Sequence, residues 1–154
     1  MTKRHCSLVA PISGQIVSLE GVPDPVFAEK MTGDGLAITA ESEEVLAPCD
    51  GVISLFFDFK HAFAITTPEG IQILVHIGLD TVVMEGMGIT ALCKSGERVK
   101  AGTPVLHLDI DLLRRRKINL ISPLLIVNYD KVEDMRLPKK KRVKAGDTVL
   151  EYAV

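Results

Sequence analysis

Short apolar runs rich in β-branched residues alternate with glycine- and proline-containing turns along most of this chain of 154 residues. The pattern predicts strands, because β-branched side chains suit a pleated sheet and Gly and Pro end each run. Only residues 109–116 favour a short helix, with Asp109 or Asp111 as its N-cap. Eight strands are expected, at a spacing typical of a sandwich: residues 14–19, 36–40, 51–57, 61–66, 71–77, 104–109, 124–128 and 147–152.

Two internal repeats indicate a duplicated architecture. Residues 10–16 (APISGQI) recur as residues 47–53 (APCDGVI), and residues 98–106 recur as residues 142–150. Segments this alike in chemistry should fold alike. We therefore predict an all-β fold, an antiparallel β-sandwich or barrel of the duplicated hybrid-motif type with minimal helix. It is expected to be a single domain over residues 9–154, preceded by an N-terminal tail at residues 1–8.

The cysteines and the apolar runs bear on the compartment. Cys6, Cys49 and Cys93 are odd in number and have no metal-type spacing, which indicates separate thiols in a reducing compartment. No run is long enough for a signal peptide, and the longest apolar stretch, residues 118–127, is broken by Pro123. We expect a cytoplasmic protein without direct membrane insertion.

The net charge of −2 is unevenly distributed. Residues 1–97 hold five Lys and Arg against thirteen Asp and Glu, whereas residues 98–154 hold thirteen against seven. A basic partner surface is therefore favoured near the acidic part, and nucleic acid is not expected as a partner. The basic runs at residues 114–117 and 138–143 are typical of a helix C-terminus and of a solvated turn.

Residues 60–83 predict a β-hairpin with two histidines. The turn Thr67–Gly70 separates two apolar runs, and a connection of two or four residues makes each facing pair of residue numbers sum to 137. His61 then faces His76 across the two strands, on one side of the hairpin. An odd-length connection would shift this register. In the predicted register the histidine side also carries Phe63, Ile65, Gln72 and Leu74, and the core side carries Ala62, Ala64, Ile71, Ile73 and Val75.

Two facing histidines in apolar surroundings suit the transfer of a negatively charged group. Neutral imidazoles offer a nucleophilic nitrogen and a hydrogen-bond donor aimed at one point. A histidine nitrogen can hold a phosphoryl group covalently while the second ring donates to a phosphoryl oxygen, and an apolar collar limits water. The hairpin alone does not distinguish nucleophile from helper.

Residues 70–82 (GIQILVHIGLDTV) resemble the active-site signature of the glucose-type enzyme IIA of the bacterial phosphoenolpyruvate:sugar phosphotransferase system. The resemblance spans residues 9–152 and implies a β-sandwich without a metal or other cofactor. It implies a relay in which the phosphocarrier HPr phosphorylates a histidine, which then passes the group to a cysteine of the IIB domain of a membrane sugar transporter. Further matches occur in order at residues 10–14, 22–27, 31–35, 61–62 and 96–102.

By position, the resemblance implies roles for individual residues. His76 corresponds to the phosphorylated nucleophile and His61 to the partner that stabilises the phosphoryl group. Asp34 and Asp80 correspond to acidic rim positions that meet arginines on partners. Phe59 stands where the family usually has a threonine bonded to the first histidine. Because a phenyl ring cannot make that hydrogen bond, the first histidine needs another support.

Phe59 has a second predicted role. In the predicted register it faces Gly78 and has room to extend an apolar collar. With Phe63 and Leu74 it would form the apolar part of a partner-binding surface.

Three other functions are alternatives to this phosphoryl relay. A metallopeptidase would need an aspartate four residues after the first histidine, where Ile65 stands, and a His-x-His motif that the sequence lacks. A biotin or lipoate carrier would need a Met-Lys hairpin tip, which is also missing. A regulatory IIA homologue that binds partners without efficient onward transfer stays open, because of Phe59.

Overall fold

The computed structural model describes residues 3–154; the first two residues of the expected tail lie outside this range. The two α-helices are α1 (Pro25–Ala28) and α2 (Ile110–Arg115), and single 3₁₀ turns occur at Leu19–Gly21, Thr81–Met84 and Tyr129–Lys131. The strands are β1 (His5–Val9), β2 (Gly14–Ser18), β3 (Asp34–Ala40), β4 (Glu44–Leu46), β5 (Gly51–Phe56), β6 (Ala62–Thr66), β7 (Gln72–His76), β8 (Ile89–Ala91), β9 (Arg98–Val99), β10 (Pro104–Leu108), β11 (Ile121–Ile126), β12 (Glu133–Arg136), β13 (Arg142–Val143) and β14 (Thr148–Ala153).

All eight predicted strands form, as β2, β3, β5, β6, β7, β10, β11 and β14. The predicted helix forms as α2, and the Asp109 side chain caps it by accepting from the Leu112 N–H at 3.1 Å. Residues 5–8 are not a tail. They form most of β1, which pairs with β14 and buries Leu8 completely.

The sheet order confirms the duplicated antiparallel architecture. Eight strands form one sheet in the order β13-β2-β3-β11-β7-β6-β5-β9, and two three-stranded sheets have the orders β1-β14-β12 and β4-β10-β8. Val143 of β13 pairs with Gly14 of β2, and Val99 of β9 pairs with Gly51 of β5 in the same way. The repeated segments therefore occupy equivalent positions at the two ends of the large sheet.

Alternating side chains of the large sheet enter two separate cores. Ile73 and Val75 of β7 belong to the main core, which the two smaller sheets complete. Leu74, between them, belongs to a second cluster on the opposite face, together with Phe27 of α1. Because strand side chains alternate between faces, His76 lies on the face of the second cluster.

The predicted register of the β6–β7 hairpin is wrong by one residue. Ala62 pairs with His76 and Phe63 pairs with Val75, so facing residue numbers sum to 138. The connection between Thr66 and Gln72 is five residues long, and within it the Thr67 N–H donates to the Ile71 carbonyl at 2.9 Å. An odd-length connection reverses which side chains share a face, and it moves Phe63 into the main core and Ala62 onto the histidine face.

Candidate functional site

The two histidine rings meet at the end of the hairpin despite the change of register. The centroids of the His61 and His76 rings are 5.1 Å apart, with an interplanar angle of 80°. His61 precedes β6 and follows Lys60, whose φ of 65° is left-handed. This turn breaks the strand alternation that would otherwise send His61 to the main core. The predicted juxtaposition is therefore confirmed, and it depends on the turn rather than on the predicted pairing.

His76 is held by a carbonyl in the loop that follows β7. Its Nδ1 lies 2.8 Å from the carbonyl oxygen of Gly78. A carbonyl can only accept, so in the neutral ring Nδ1 carries the proton and Nε2 keeps the lone pair. The Gly78 N–H donates to the buried Ser122 hydroxyl at 3.0 Å, and that hydroxyl donates to the Leu120 carbonyl at 2.9 Å. The loop that orients His76 is thus fixed from both sides.

Gly78 has no room for a side chain. Its φ is 68°, and a Cβ there would lie 2.6 Å from the Thr81 hydroxyl oxygen and 2.7 Å from the Asn119 carbonyl oxygen. The predicted placement of Phe59 opposite Gly78 is wrong, because facing residue numbers in the hairpin sum to 138 and not 137. Phe59 lies in the turn before β6 with 38% of its surface exposed, and its main chain approaches Gly86.

Two phenylalanines absent from the predicted collar contact the histidines. Phe27 of α1 lies 5.2 Å from the His76 ring at 61°, and Phe57 lies 5.3 Å from the His61 ring at 78°, both centroid distances. Phe63 is fully buried in the main core and cannot contact a partner. Leu74 lies beneath the site in the second cluster, with 6% of its surface exposed.

A shallow depression surrounds the two rings. Asp80 lines it, as predicted for the rim. Asp34 does not line it: its carboxylate forms an ion pair with Lys30 at 3.6 Å and accepts from the Gly35 N–H. The lining residues are Asp24, Val26, Phe27, His61, His76, Asp80, Thr81 and Val82.

Burial keeps both histidines neutral near pH 7. Loss of water around the ring lowers the pKa of His61 below its ordinary value. Burial also lowers the pKa of His76. The hydrogen bond to Gly78 and the nearby carboxylates of Asp24 and Asp80 raise this pKa and so reduce the effect of burial. A neutral His76 keeps a lone pair available for nucleophilic attack.

The two rings differ in their hydrogen bonding. His61 is 7% exposed, and its Nδ1 is buried without a hydrogen-bond partner among residues 3–154. Nδ1 of His76, in contrast, is paired with the Gly78 carbonyl.

No group of three or more His, Cys, Asp or Glu side chains among residues 3–154 is placed to hold a metal ion. Cys49 is buried, and burial raises the pKa of its thiol to about 12, which makes it a poor nucleophile.

The residues that sequence reasoning missed come from outside the hairpin strands. Asp24 and Phe27 lie 38 and 35 residues before the first hairpin strand, at the start of α1, where the Asp24 side chain accepts from the Val26 N–H. Ser122 belongs to β11, the strand beside β7. A buried serine among apolar strand residues is the signal that could have identified Ser122, because a buried hydroxyl needs a partner.

Comparisons with known proteins converge on one family. A family profile described as "phosphoenolpyruvate-dependent sugar phosphotransferase system, EIIA 1" matches residues 6–132. A glucose-specific EIIA component of Oceanobacillus iheyensis is 42% identical, over 94% of this chain and 87% of that protein. An N-acetylglucosamine-specific EIICBA component of Klebsiella pneumoniae is also 42% identical, over 94% of this chain but 22% of that protein.

The fold comparison agrees. The solved structure of glucose permease IIA from Mycoplasma capricolum superposes with a TM-score of 0.89. It is 36% identical in sequence and covers 96% of each chain. In the described part of this chain, no helix is long and apolar enough to cross a membrane.

Proposed function

Because the chain belongs to the EIIA 1 family of the phosphoenolpyruvate-dependent sugar phosphotransferase system, we propose that His76 is the residue that carries its phosphoryl group. Members of this family are phosphotransferases of the sugar relay. The observation that carries the proposal is the hydrogen bond from His76 Nδ1 to Gly78, which leaves Nε2 unprotonated beside His61. Phospho-HPr is the proposed donor and a IIB cysteine the proposed acceptor.

The chemistry at His76 is a pair of displacements at phosphorus. The Nε2 lone pair attacks the phosphorus of the donor phosphohistidine, and the electron pair of the broken P–N bond returns to the donor nitrogen. Positive charge develops on the His76 ring, and the Gly78 carbonyl stabilises it by accepting from Nδ1–H. In the second step a cysteine thiolate attacks the phosphorus, and Nε2 recovers its electron pair.

His61 is proposed to donate a hydrogen bond to a phosphoryl oxygen on His76. The ring separation of 5.1 Å supports this role, because a group bound at the His76 ring would lie close to His61. Val26, Val82 and Phe27 give the depression apolar walls that limit water around the phosphohistidine. Removal of one donor aimed at developing charge costs roughly 2–4 kcal/mol, so its loss should slow transfer without abolishing it.

Partner docking is proposed at the same depression. Asp24 and Asp80 line it and favour a basic surface on HPr and on IIB. The relative from Klebsiella pneumoniae is named an EIICBA component, which supports a IIB partner for this chain. Asp34 lies outside the depression, so Asp80→Asn should slow association at low salt more than Asp34→Asn does. A cytoplasmic location is part of this proposal, and three free cysteines support it.

The relay is tested by incubating the chain with phosphoenolpyruvate, enzyme I and HPr and measuring intact mass. We expect one acid-labile phosphate on the wild type and none on His76→Gln, because an amide has no nucleophilic ring nitrogen. His61→Gln should accept phosphate and pass it to IIB roughly 30- to 1,000-fold more slowly. His107→Gln is the control, since His107 is exposed on β10. Phosphate on His76→Gln, or none on the wild type, would refute the assignment.

One observation favours a second function, that of a regulatory homologue without efficient onward transfer. Nδ1 of His61 has no hydrogen-bond partner from residue 3 onward, and Phe59 supplies none. If that support is essential, the wild type will accept phosphate from HPr and fail to donate it to IIB. Phe59→Thr would then increase transfer to IIB.

A further inference from the structure

The turn that carries His61 fixes a catalytic ring without a hydrogen bond to it. Nδ1 of His61 is buried and unpartnered within residues 3–154, while the ring is 7% exposed and closely packed. The aromatic contacts of the ring are Phe57, at 5.3 Å and 78°, and His76, at 5.1 Å and 80°. Of these two contacts, only Phe57 belongs to the same turn.

We propose that Phe57 is a positioning residue that holds the His61 ring by aromatic packing and thereby keeps its proton on Nε2, facing His76. This inference rests on the proposed function, in which His61 donates to the phosphoryl group on His76. It assigns to Phe57 the support of His61 that Phe59, at the position of the family threonine, cannot give by hydrogen bonding.

Phe57 is well anchored for this role. Its N–H donates to the Ala62 carbonyl at 3.0 Å, and its carbonyl accepts from the Lys60 N–H at 2.9 Å, so main-chain bonds close the turn around His61. The Phe57 side chain packs against the second cluster, which lies beneath the site. The perpendicular arrangement of the two rings is a favourable aromatic geometry. A rigid ring therefore supports the His61 imidazole.

The burial of Nδ1 selects the tautomer. A neutral imidazole has one N–H, and a proton on Nδ1 would be a buried donor without an acceptor, at a cost of about 1–3 kcal/mol. An orphaned N–H is rarer in proteins than an under-satisfied acceptor. A hydroxyl beside Nδ1 could donate or accept and would leave both tautomers available. Because Nδ1 is buried with no acceptor among residues 3–154, we infer that the proton lies on Nε2 of His61, which lines the depression.

The test is a nitrogen–proton correlation spectrum of the unphosphorylated chain, labelled at histidine and recorded above pH 7. We expect wild-type His61 as a single Nε2–H tautomer and His76 as Nδ1–H. Phe57→Leu keeps an apolar side chain without the aromatic edge, and it should give a tautomer mixture or exchange broadening at His61 alone. Phe57→Tyr retains the ring and should restore the single tautomer. Phe56→Leu is the matched control, because the Phe56 ring packs on Phe63.

A transfer assay on the same variants provides the second measurement. Phe57→Leu should slow donation to IIB roughly 3- to 10-fold, which corresponds to the energy of one aromatic pair. Acceptance from HPr should stay within about twofold, because His76 keeps its bond to Gly78. Phe56→Leu should leave both rates unchanged.

Two outcomes would overturn the proposal: a wild-type His61 with its proton on Nδ1, or a Phe57→Leu spectrum identical to that of the wild type. The spectra are recorded without phosphate, so they do not depend on the relay. A chain that fails to take up phosphate would refute the proposed function and leave the tautomer assignment standing.

Discussion

Two loops deliver the two histidines, and they hold them in different ways. The loop after β7 fixes His76 with a hydrogen bond to the Gly78 carbonyl, which is itself backed by Ser122. The turn before β6 holds His61 by aromatic contact, and its Nδ1 has no hydrogen-bond partner in the described part of the chain. The hydrogen bond leaves the lone pair on Nε2 of His76, the nitrogen that we propose as the nucleophile. Packing, in contrast, holds the whole His61 ring in place. It leaves no hydrogen-bond acceptor beside Nδ1 among the residues that the structure describes.

The difference predicts unequal tolerance to substitution. A directional hydrogen bond fails when its carbonyl moves by a fraction of an ångström, whereas an apolar contact weakens gradually as a ring shifts. Changes in residues 77–81 should therefore alter acceptance of the phosphoryl group. Changes in residues 57–61 should alter its donation.

The largest effect is expected from Gly78→Ala. The new Cβ would collide with the Thr81 hydroxyl and the Asn119 carbonyl, in a left-handed conformation that alanine resists. We expect a loss of roughly 2–5 kcal/mol in the free energy of unfolding and a severe loss of phosphate acceptance. Gly70→Ala is the control, because Gly70 has a φ of 84° with nothing within 4 Å of its Cβ position. Equal destabilisation of the two variants in urea would contradict the collision.

Ser122→Ala should have the next largest effect. It leaves the buried Gly78 N–H without its acceptor, which costs about 1–3 kcal/mol. Because the same peptide segment carries the carbonyl that orients His76, acceptance from HPr should slow as well. Ser54→Ala removes an exposed hydroxyl from β5 and should change stability by less than about 0.5 kcal/mol. If acceptance by Ser122→Ala matches the wild type, Ser122 does not orient the loop.

Lys60→Val tests the other loop. Lys60 has a φ of 65°, and a β-branched residue resists this conformation. We expect a loss of about 1 kcal/mol and slower donation to IIB, with acceptance on His76 nearly unchanged. Lys60→Asn should behave like the wild type, since asparagine tolerates the left-handed region. Transfer rates measured separately from HPr and to IIB decide this, and an equal loss in both steps would contradict the division of roles.

The smallest expected effect is a dependence of stability on pH. Burial lowers the pKa of His61 and His76 in the folded state, so the unfolded chain binds more protons below its ordinary histidine pKa of about 6.5. The free energy of unfolding should fall as pH decreases through that value and level off once the folded rings are protonated. Urea titrations at several values between about pH 7 and 5 give the free energy of unfolding as a function of pH. Its slope against pH should be shallower for the double variant His61→Gln, His76→Gln than for the wild type. An unchanged slope would contradict the lowered pKa values.

The fold was largely predictable from the sequence because local signals agreed with the tertiary structure. The alternation at Ile71, Ile73 and Val75 marked the main-core face, and the repeats marked the symmetry of the large sheet. The strand β1 was missed although residues 5–8 alternate between polar and apolar side chains, a pattern typical of a half-buried strand. Short edge strands such as β9 and β13 carry too few residues for a periodic signal.

The two histidines of the site could be predicted from the sequence. The residues that hold them in place could not. The register failed because backbone bonding extends the connection to Thr67–Ile71, a length that the apolar pattern does not reveal. His61 still reaches His76 because one left-handed lysine redirects it, and lysine carries no sequence signal for that conformation. Phe27 and Ser122 are brought in by α1 and β11, so their roles depend on long-range packing.

The most direct test is the position of the phosphoryl group on the chain phosphorylated through enzyme I and HPr. Nitrogen–proton spectra of the labelled phosphoprotein identify the substituted nitrogen. We predict phosphate on Nε2 of His76, with the proton on Nδ1 retained and shielded by the Gly78 carbonyl. Phosphate on Nδ1 of His76, or on either nitrogen of His61, would contradict the central claim that the loop after β7 defines the nucleophile.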